Sequence, residues 1–378
     1  MGWLCHRLWK SGRHLLPLRQ IKRTPKSIKQ TTLATMNIVQ IVRRYGPVGG
    51  MERYVWELSK ELALLGHQVT VLCESCLADA PKNIQVIELG KVREKPRWIA
   101  HLRFSKRVSG WIAANPQPQR IIHSHERTNA HHFTTFHGPP FAQVKDKVWW
   151  KRISPRIMAN LYLERRELCG GQVKVIIPNS MLIAERLRHY YPEISGRIIE
   201  PITPGVVAIP QRPDRAVVAD AGVIGFVGKE WKRKGLDIAV KVISELRRQR
   251  PNLEFIVAGP KPDEIRHLFN DWQGGFQLLG ETDSTPLYAR FDLLLHPARQ
   301  EPYGMVIAEA RAAAVPVLVS DACGIAAELN ETSVLSINDP ISDWSTACAQ
   351  LIGQTTKSIR RDWATVAQEQ ITCYQRFF

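Results

Sequence analysis

The sequence predicts an α/β protein of two doubly wound domains facing a cleft, on three observations. Short, continuous β-branched runs alternate with stretches of helical periodicity, the pattern of strands buried on both faces of a parallel sheet. The alternation starts at Met36, breaks in a Pro-rich segment from Pro201 to Asp214, and restarts at Val223. The length of 378 residues suits two domains at ~150 residues each. A composition of 44% hydrophobic and 23% charged residues is ordinary for a globular chain and excludes a disordered or fibrous one. The expected division is 1–35 as a basic extension outside the fold, 36–210 and 211–358 as the two domains, and 359–378 as a C-terminal helix crossing back to the first.

Residues 1–35 carry eight basic residues, no acid and only a short apolar run from Leu15 to Leu18. A secretory peptide needs a longer apolar core and a small-residue cleavage site. An organelle transit peptide shares the basic composition. Met36 opens "MNIVQIV", which reads both as a first strand and as an alternative start.

In the front half the runs Met36–Val42, Gln68–Glu74, Ile84–Leu89, Arg120–His123, Phe133–Phe136 and Val173–Pro178 read as strands. Between the first two, Tyr54, Leu58, Leu62 and Leu65 fall at helical spacing and Gly66 closes the helix, which makes a βαβ unit. In the back half the strands are Val223–Val227, Leu253–Ala258, Phe276–Leu279, Asp292–His296, Val315–Val319 and Ser333–Ile337. Ligands of open parallel sheets bind beyond the carboxyl ends of the strands, so the cleft between two such domains is the expected site.

The net charge of +17 is uneven: +8 over residues 1–35, +12 over 36–215 and −3 over 216–378. A basic front half points to an anionic partner. Seven scattered cysteines do not form a disulfide framework and favour a reducing cytoplasm. Cys73 and Cys76 form a lone CxxC without a second pair, so strand-end packing is favoured over zinc or redox chemistry. No window reaches the ~18 apolar residues of a spanning helix.

Three segments carry chemistry. In "GFVGKEWKRKGLD", Gly228 permits a tight turn, and Lys229, Lys232, Arg233 and Lys234 cluster ahead of a helix near Gly235, an arrangement suited to a phosphate. In "HPARQEPYGMVIAEA", Glu301 and Pro302 lie in the loop, Tyr303, Gly304 and Met305 lead into a helix, and Glu309 sits in its second turn. A carboxylate accepts two hydroxyl hydrogen bonds at once, so the two glutamates suit a sugar and a ribose. In "RRYGPVGGMERY", Gly49 and Gly50 precede a helix whose free N–H groups can meet a diphosphate. The segment is not GxGxxG, which argues against nicotinamide binding.

Together these segments resemble the family 4 retaining glycosyltransferases of GT-B fold, through the Glu–x7–Glu pattern from Glu301 to Glu309 and the "FVGKEWKRKG" loop. Within that family the back half looks similar to the lipopolysaccharide core glucosyltransferase I group. Lys234 falls on the family's usual lysine, whereas Lys229 stands where arginine is common, keeping the charge without the bidentate fork. The resemblance implies transfer of a sugar from a nucleotide diphosphate, a UDP-sugar favoured, with retention and without metal or further cofactor. It makes 36–210 the acceptor domain and 211–358 the donor domain. It places Gly49, Gly50, Gly228, Lys229, Lys234, Pro302, Tyr303, Gly304, Met305 and Glu309 on the donor, Glu301 on its sugar, and His137, after strand Phe133–Phe136, beside the transferred sugar.

Other residues are read from their neighbourhood. The histidines of "HSHERTNAHHFTTFHGPP" lack the spacing of a metal site. Glu126 and Arg127 are candidates for an anionic glycan or glycolipid acceptor. Phe141–Glu167 reads as an amphipathic helix in which Trp149, Trp150, Lys151 and Arg152 suit the inner membrane surface, with a cytoplasmic, peripheral location; the family resemblance implies a role in cell-envelope polysaccharide or lipopolysaccharide biosynthesis. No nucleic-acid motif is present. A sugar-nucleotide epimerase of the same architecture and a non-catalytic sugar-nucleotide or nucleic-acid binder are the alternative readings.

Overall fold

Each strand expected from the sequence is present, with its ends moved by one or two residues at most. The computed structural model describes residues 35–378; the expectations for residues 1–34 lie outside the described residues. In the first sheet the spatial order is Ile84–Glu88, Gln68–Cys73, Asn37–Ile41, Arg120–Ser124, Phe133–Phe136, Val175–Pro178, all parallel. In the second it is Phe276–Gly280, Asn252–Ala258, Ala221–Val227, Leu293–His296, Val317–Ser320, Val334–Leu335, again parallel. Numbered along the chain, both sheets run 3-2-1-4-5-6. The order reverses between the first and fourth strands, which opens a crevice at their carboxyl ends.

The strands lack strict alternation because helices cover both faces. On one face of the first sheet, Ile38, Tyr54, Leu58 and Leu62 share a core with Trp363, Val366, Ile371 and Tyr374 of the last helix, Trp363–Phe377. That helix is the final element of the chain, yet it completes the first domain; Val206 N donates to Arg361 O at 2.7 Å where the chain returns. The other face packs Val39, Ile41 and Leu72 on Phe104 and Val108. The second sheet is enclosed by two clusters, one around Ile307 and Ala310 and one around Leu236, Ile243 and Trp344. Thr35–Phe378 forms one unit.

The structure corrects the reading of Phe141–Glu167 as one helix. The segment is two short 3-10 turns, Phe141–Asp146 and Trp149–Arg152, followed by a helix from Pro155 to Cys169. Ser154 caps that helix by accepting from Ile157 N at 3.2 Å, and Pro155 occupies its first position; Ser-Pro is a start signal that the basic-aromatic reading overlooked. Trp149 and Trp150 therefore stand on a turn. The CxxC pair is split between the end of Gln68–Cys73 and a two-residue bridge, Ser75–Cys76 with Arg44–Tyr45. Burial pushes the Cys73 thiol up to about 12, so it offers no thiolate at neutral pH.

Candidate functional site

The crevice ends of both sheets open on one cavity of about 510 Å³, lined by Gly49, Gly50, His137, Gly228, Lys229, Lys234, Glu301, Pro302, Tyr303, Gly304, Met305 and Glu309. The fold thus gathers around one cavity residues separated by up to 260 positions in sequence. Gly49 takes φ +67° ahead of the helix Gly50–Leu64, and its N-terminus faces the cavity from the first domain. From the second, Gly304 stands at the start of Met305–Ala312. Free backbone N–H groups at both places favour an anion.

Glu301 lies at the centre of a cationic group. Lys234 Nζ is 2.9 Å from its Oε2, Arg233 Nη1 3.4 Å and His296 Nε2 3.6 Å. Burial alone would raise this carboxyl, but His296, Lys234 and Arg233 hold it well below the usual range. His296 is itself kept neutral by burial, so the two cations supply the charge. Gly228 lies under the Lys234 stem: a Cβ there would stand 2.2 Å from Lys234 Cδ, at a φ of +148°. Lys229 is different. Its side chain is 67% exposed at the rim and pairs with Glu281, and Lys232 turns onto Trp231.

Glu309 is buried. Tyr288 Oη donates to its Oε2 at 2.6 Å, and Arg53 reaches it from the first domain at 3.7 Å. Burial raises its pKa, opposed by Tyr288 and Arg53. His137 is half-buried at the end of Phe133–Phe136, with Nε2 2.9 Å from His125 Nδ1. His123, His125 and His131 are buried and hydrogen-bonded within the domain. No cluster of three or more His, Cys, Asp or Glu able to hold a metal occurs among the described residues.

A second cavity, about 1150 Å³, adjoins the first and shares Met51, His137, Arg233, Glu301 and Pro302 with it. Glu126 and Arg127 line it, together with Lys95, Arg97, Arg156 and Glu167. Arg127 is engaged by Asn160 and Glu164. Burial pushes the carboxyls of Glu126 and Glu167 up to about 7 and about 8. Trp149, Trp150 and Arg152 line neither cavity; the Lys151 side chain lies outside the described ones.

Sequence reasoning missed Arg53, Tyr288 and His296. Arg53 follows Gly50 by one turn and could have been found by helical spacing; Tyr288 and His296 carry no local signal.

Two family models match the chain: one described as Glycosyltransferase Family 4 over residues 48–208, the other as Glycosyl transferases group 1 over 221–354. The chain is 26% identical over 354 residues to the lipopolysaccharide glucosyltransferase WaaG of Escherichia coli (strain K12), covering 86% of this chain and 91% of that protein. Its fold is similar to a crystal structure of WaaG, a glycosyltransferase involved in lipopolysaccharide biosynthesis, with a TM-score of 0.70 at 20% identity over 89% of this chain and 95% of that one. It is also similar to Anabaena HepE in complex with UDP and glucose, with a TM-score of 0.62 at 16% identity over 90% and 99%.

Proposed function

We infer, for a chain that belongs to glycosyltransferase family 4 and is a nucleotide-sugar-dependent hexosyltransferase, that it moves a hexose from a UDP-sugar to an anionic glycan or glycolipid of the cell envelope, with retention and with no further cofactor. The observation that carries this reading is the pair of adjoining cavities. One gathers Lys234, Glu301, Glu309 and two helix N-termini, and the other meets it at His137 and Glu301. The relative that makes lipopolysaccharide and the solved structure holding UDP support the donor and acceptor classes.

In this reading the bond from the anomeric carbon to the diphosphate oxygen breaks while an acceptor hydroxyl attacks from the same face. The hydroxyl proton passes to the departing phosphate oxygen. Lys234, Arg233 and the helix N-termini meet the charge that develops there. Glu301 holds the sugar hydroxyls, Glu309 the ribose, and His137 positions the sugar. Lys95, Arg97 and Arg156 are exposed around the second cavity and suit a phosphorylated acceptor. Thermal-shift measurements with UDP-, GDP- and ADP-sugars test the donor: UDP-sugars should stabilise most, and the transferred sugar should keep the donor's anomeric configuration by NMR. Stabilisation by another base alone, or an inverted product, overturns the assignment.

The two carboxylates should separate kinetically. Glu309→Gln is expected to raise the donor KM with kcat nearly unchanged, because a ribose contact is made equally in ground and transition states. Glu301→Gln should lower kcat as well, since the sugar ring distorts during transfer. Identical changes in both constants for both variants would remove the distinction.

Membrane docking belongs to the same proposal. Trp149, Trp150, Ile153, Met158 and Tyr162 are each 59–66% exposed, a concentration of exposed apolar side chains within one stretch of the chain. Lys145, Lys147, Arg152 and Arg156 are exposed in the same stretch, so anionic lipid is the occupant we propose for it. Helix Pro155–Cys169 carries Met158 and Tyr162 and, on its opposite side, gives Arg156 and Asn160 to the second cavity. Among the described residues no helix is long and apolar enough to cross a membrane. With residues 1–35 removed, the protein should co-sediment with anionic liposomes at low salt. Trp149→Ser with Trp150→Ser should cut the salt-resistant fraction, and neutralising Lys145, Lys147 and Arg152 the salt-sensitive one. No binding at low salt would reassign the charge to a soluble acceptor.

A further inference from the structure

A line of hydrogen bonds runs through the interior of the first domain and ends at the cavity. Thr135 Oγ1 lies 2.8 Å from His123 Nε2, and His123 Nδ1 lies 2.6 Å from Tyr374 Oη. Gln40 Nε2 donates to Tyr374 Oη at 3.2 Å, while Gln40 Oε1 lies 2.7 Å from His125 Nε2. His125 Nδ1 lies 2.9 Å from His137 Nε2. Gln40 is fully buried in the central strand Asn37–Ile41, and Tyr374 is fully buried on the last helix. Burial keeps His123 and His125 well below the ordinary histidine range and pushes His137 down to about 3, so each ring is neutral and carries a single proton.

The amide of Gln40 gives this line a direction. Because its Oε1 can only accept, His125 must carry its proton on Nε2, which leaves His125 Nδ1 a bare acceptor. His137 must then place its proton on Nε2 to reach it. On the other side, Tyr374 accepts from the amide and therefore donates to His123 Nδ1, and His123 Nε2–H donates to Thr135. We propose that Gln40, acting through His125, is a positioning residue that fixes the tautomer of His137, so that His137 presents an unprotonated Nδ1 to the donor sugar and accepts a hydrogen bond from one of its hydroxyls. Turning the amide end for end would reverse every proton in the line and make His137 Nδ1 a donor, so the direction of the hydrogen bond to the sugar hydroxyl is set by a residue that lines neither cavity. That the hydroxyl belongs to a donor sugar, here its 6-hydroxyl, rests on the transferase reading above; the tautomer does not.

The first test needs no substrate. In the full chain labelled with ¹⁵N-histidine, two-bond ¹⁵N–¹H correlation should show His137 and His125 as Nε2–H tautomers, with His137 identified by the signal lost in His137→Gln. An Nδ1–H pattern for His137 overturns the proposal, whatever the donor. Gln40→Leu should convert the single pattern to an averaged one; should that variant fail to fold, Tyr374→Phe, which frees the amide to turn, takes its place. The second test compares turnover of UDP-glucose with UDP-6-deoxyglucose. The unsubstituted protein should prefer UDP-glucose about tenfold, the effect of one buried hydrogen bond, and Gln40→Leu should narrow the preference to about twofold. An equal fall for both donors, the mark of a purely structural role, overturns the positioning assignment. Absence of turnover with any UDP-sugar in the unsubstituted protein would sink the donor reading and leave the spectroscopic result standing.

Discussion

Lys234→Ala is expected to lower turnover at saturating donor about a hundredfold, the usual cost of removing one preorganised contact to developing charge. Lys234 is the cation most enclosed in the cavity: its side chain is 13% exposed, rests over Gly228 and lies 2.9 Å from Glu301. Removing it also leaves the Glu301 carboxylate with Arg233 as its remaining close cation, so the group we assign to the sugar becomes less well oriented. Gly228→Ala should be nearly as damaging, because the new methyl occupies the place of the lysine stem at a φ that side chains rarely adopt. Lys229→Ala should cost less, about tenfold, since its ammonium is solvated at the rim and water screens it. Single-turnover kinetics with UDP-glucose measures all three. Near-normal turnover for Lys234→Ala would end its assignment to the leaving group.

Acid should destabilise the protein steeply, by roughly 3 kcal/mol between pH 6.5 and 5.5. His101, His123, His125 and His131 are buried. Burial lowers all four, His101 to about 3 and His131 to about 4, with His123 and His125 well below the ordinary value of 6.5. A folded pKa below the unfolded one means that the unfolded chain binds more protons as pH falls past 6.5, so stability is lost on the acid side. Glu126 and Glu167 work in the opposite sense: burial raises them to about 7 and about 8, so they favour the folded state as pH falls toward 4.5. His137 and His296 are lowered in the same sense, so six histidines oppose two carboxyls; because an unfolded histidine is only half protonated at pH 6.5, each contributes ~1 kcal/mol over this pH unit and the net is ~3 kcal/mol. Urea titrations at pH 7, 6.5, 6 and 5.5 measure it; an unchanged midpoint over that range would show that these rings stay solvated. His131→Gln should make the profile shallower, because it removes one of the six sites.

The strands could be read from local patterning because a strand buried on both faces must be apolar at every position, as Ile38, Val39 and Ile41 are. The helix Gly50–Leu64 was legible for the same kind of reason, through Tyr54, Leu58 and Leu62 at its spacing and Gly66 beyond its end. Where a segment was basic and aromatic throughout, as from Phe141 to Glu167, composition masked the short-range signal. Ser154 and Pro155 decided the helix start, and the tryptophans fell on a turn.

That the residues we assign to the donor line one cavity was legible too, since glycines, lysines and glutamates at strand ends have few structural reasons to cluster there, and parallel sheets put strand ends on one side. Their partners were not. Tyr288 on Glu309, Arg53 across the cleft and His296 beside Glu301 lie on elements whose proximity depends on how two sheets and their helices pack. The same holds for the interior line that ends at His137. Gln40 in the first strand looks in sequence like an isolated polar residue in an apolar run. It becomes interpretable only when the last helix returns to the first domain and sets Tyr374 against it, across 334 positions. Periodicity and turn chemistry are short-range properties of a chain and are written in neighbouring residues. A hydrogen bond between its two ends exists only because burial of Trp363, Val366 and Ile371 against the first sheet holds the last helix there, and no local pattern records that.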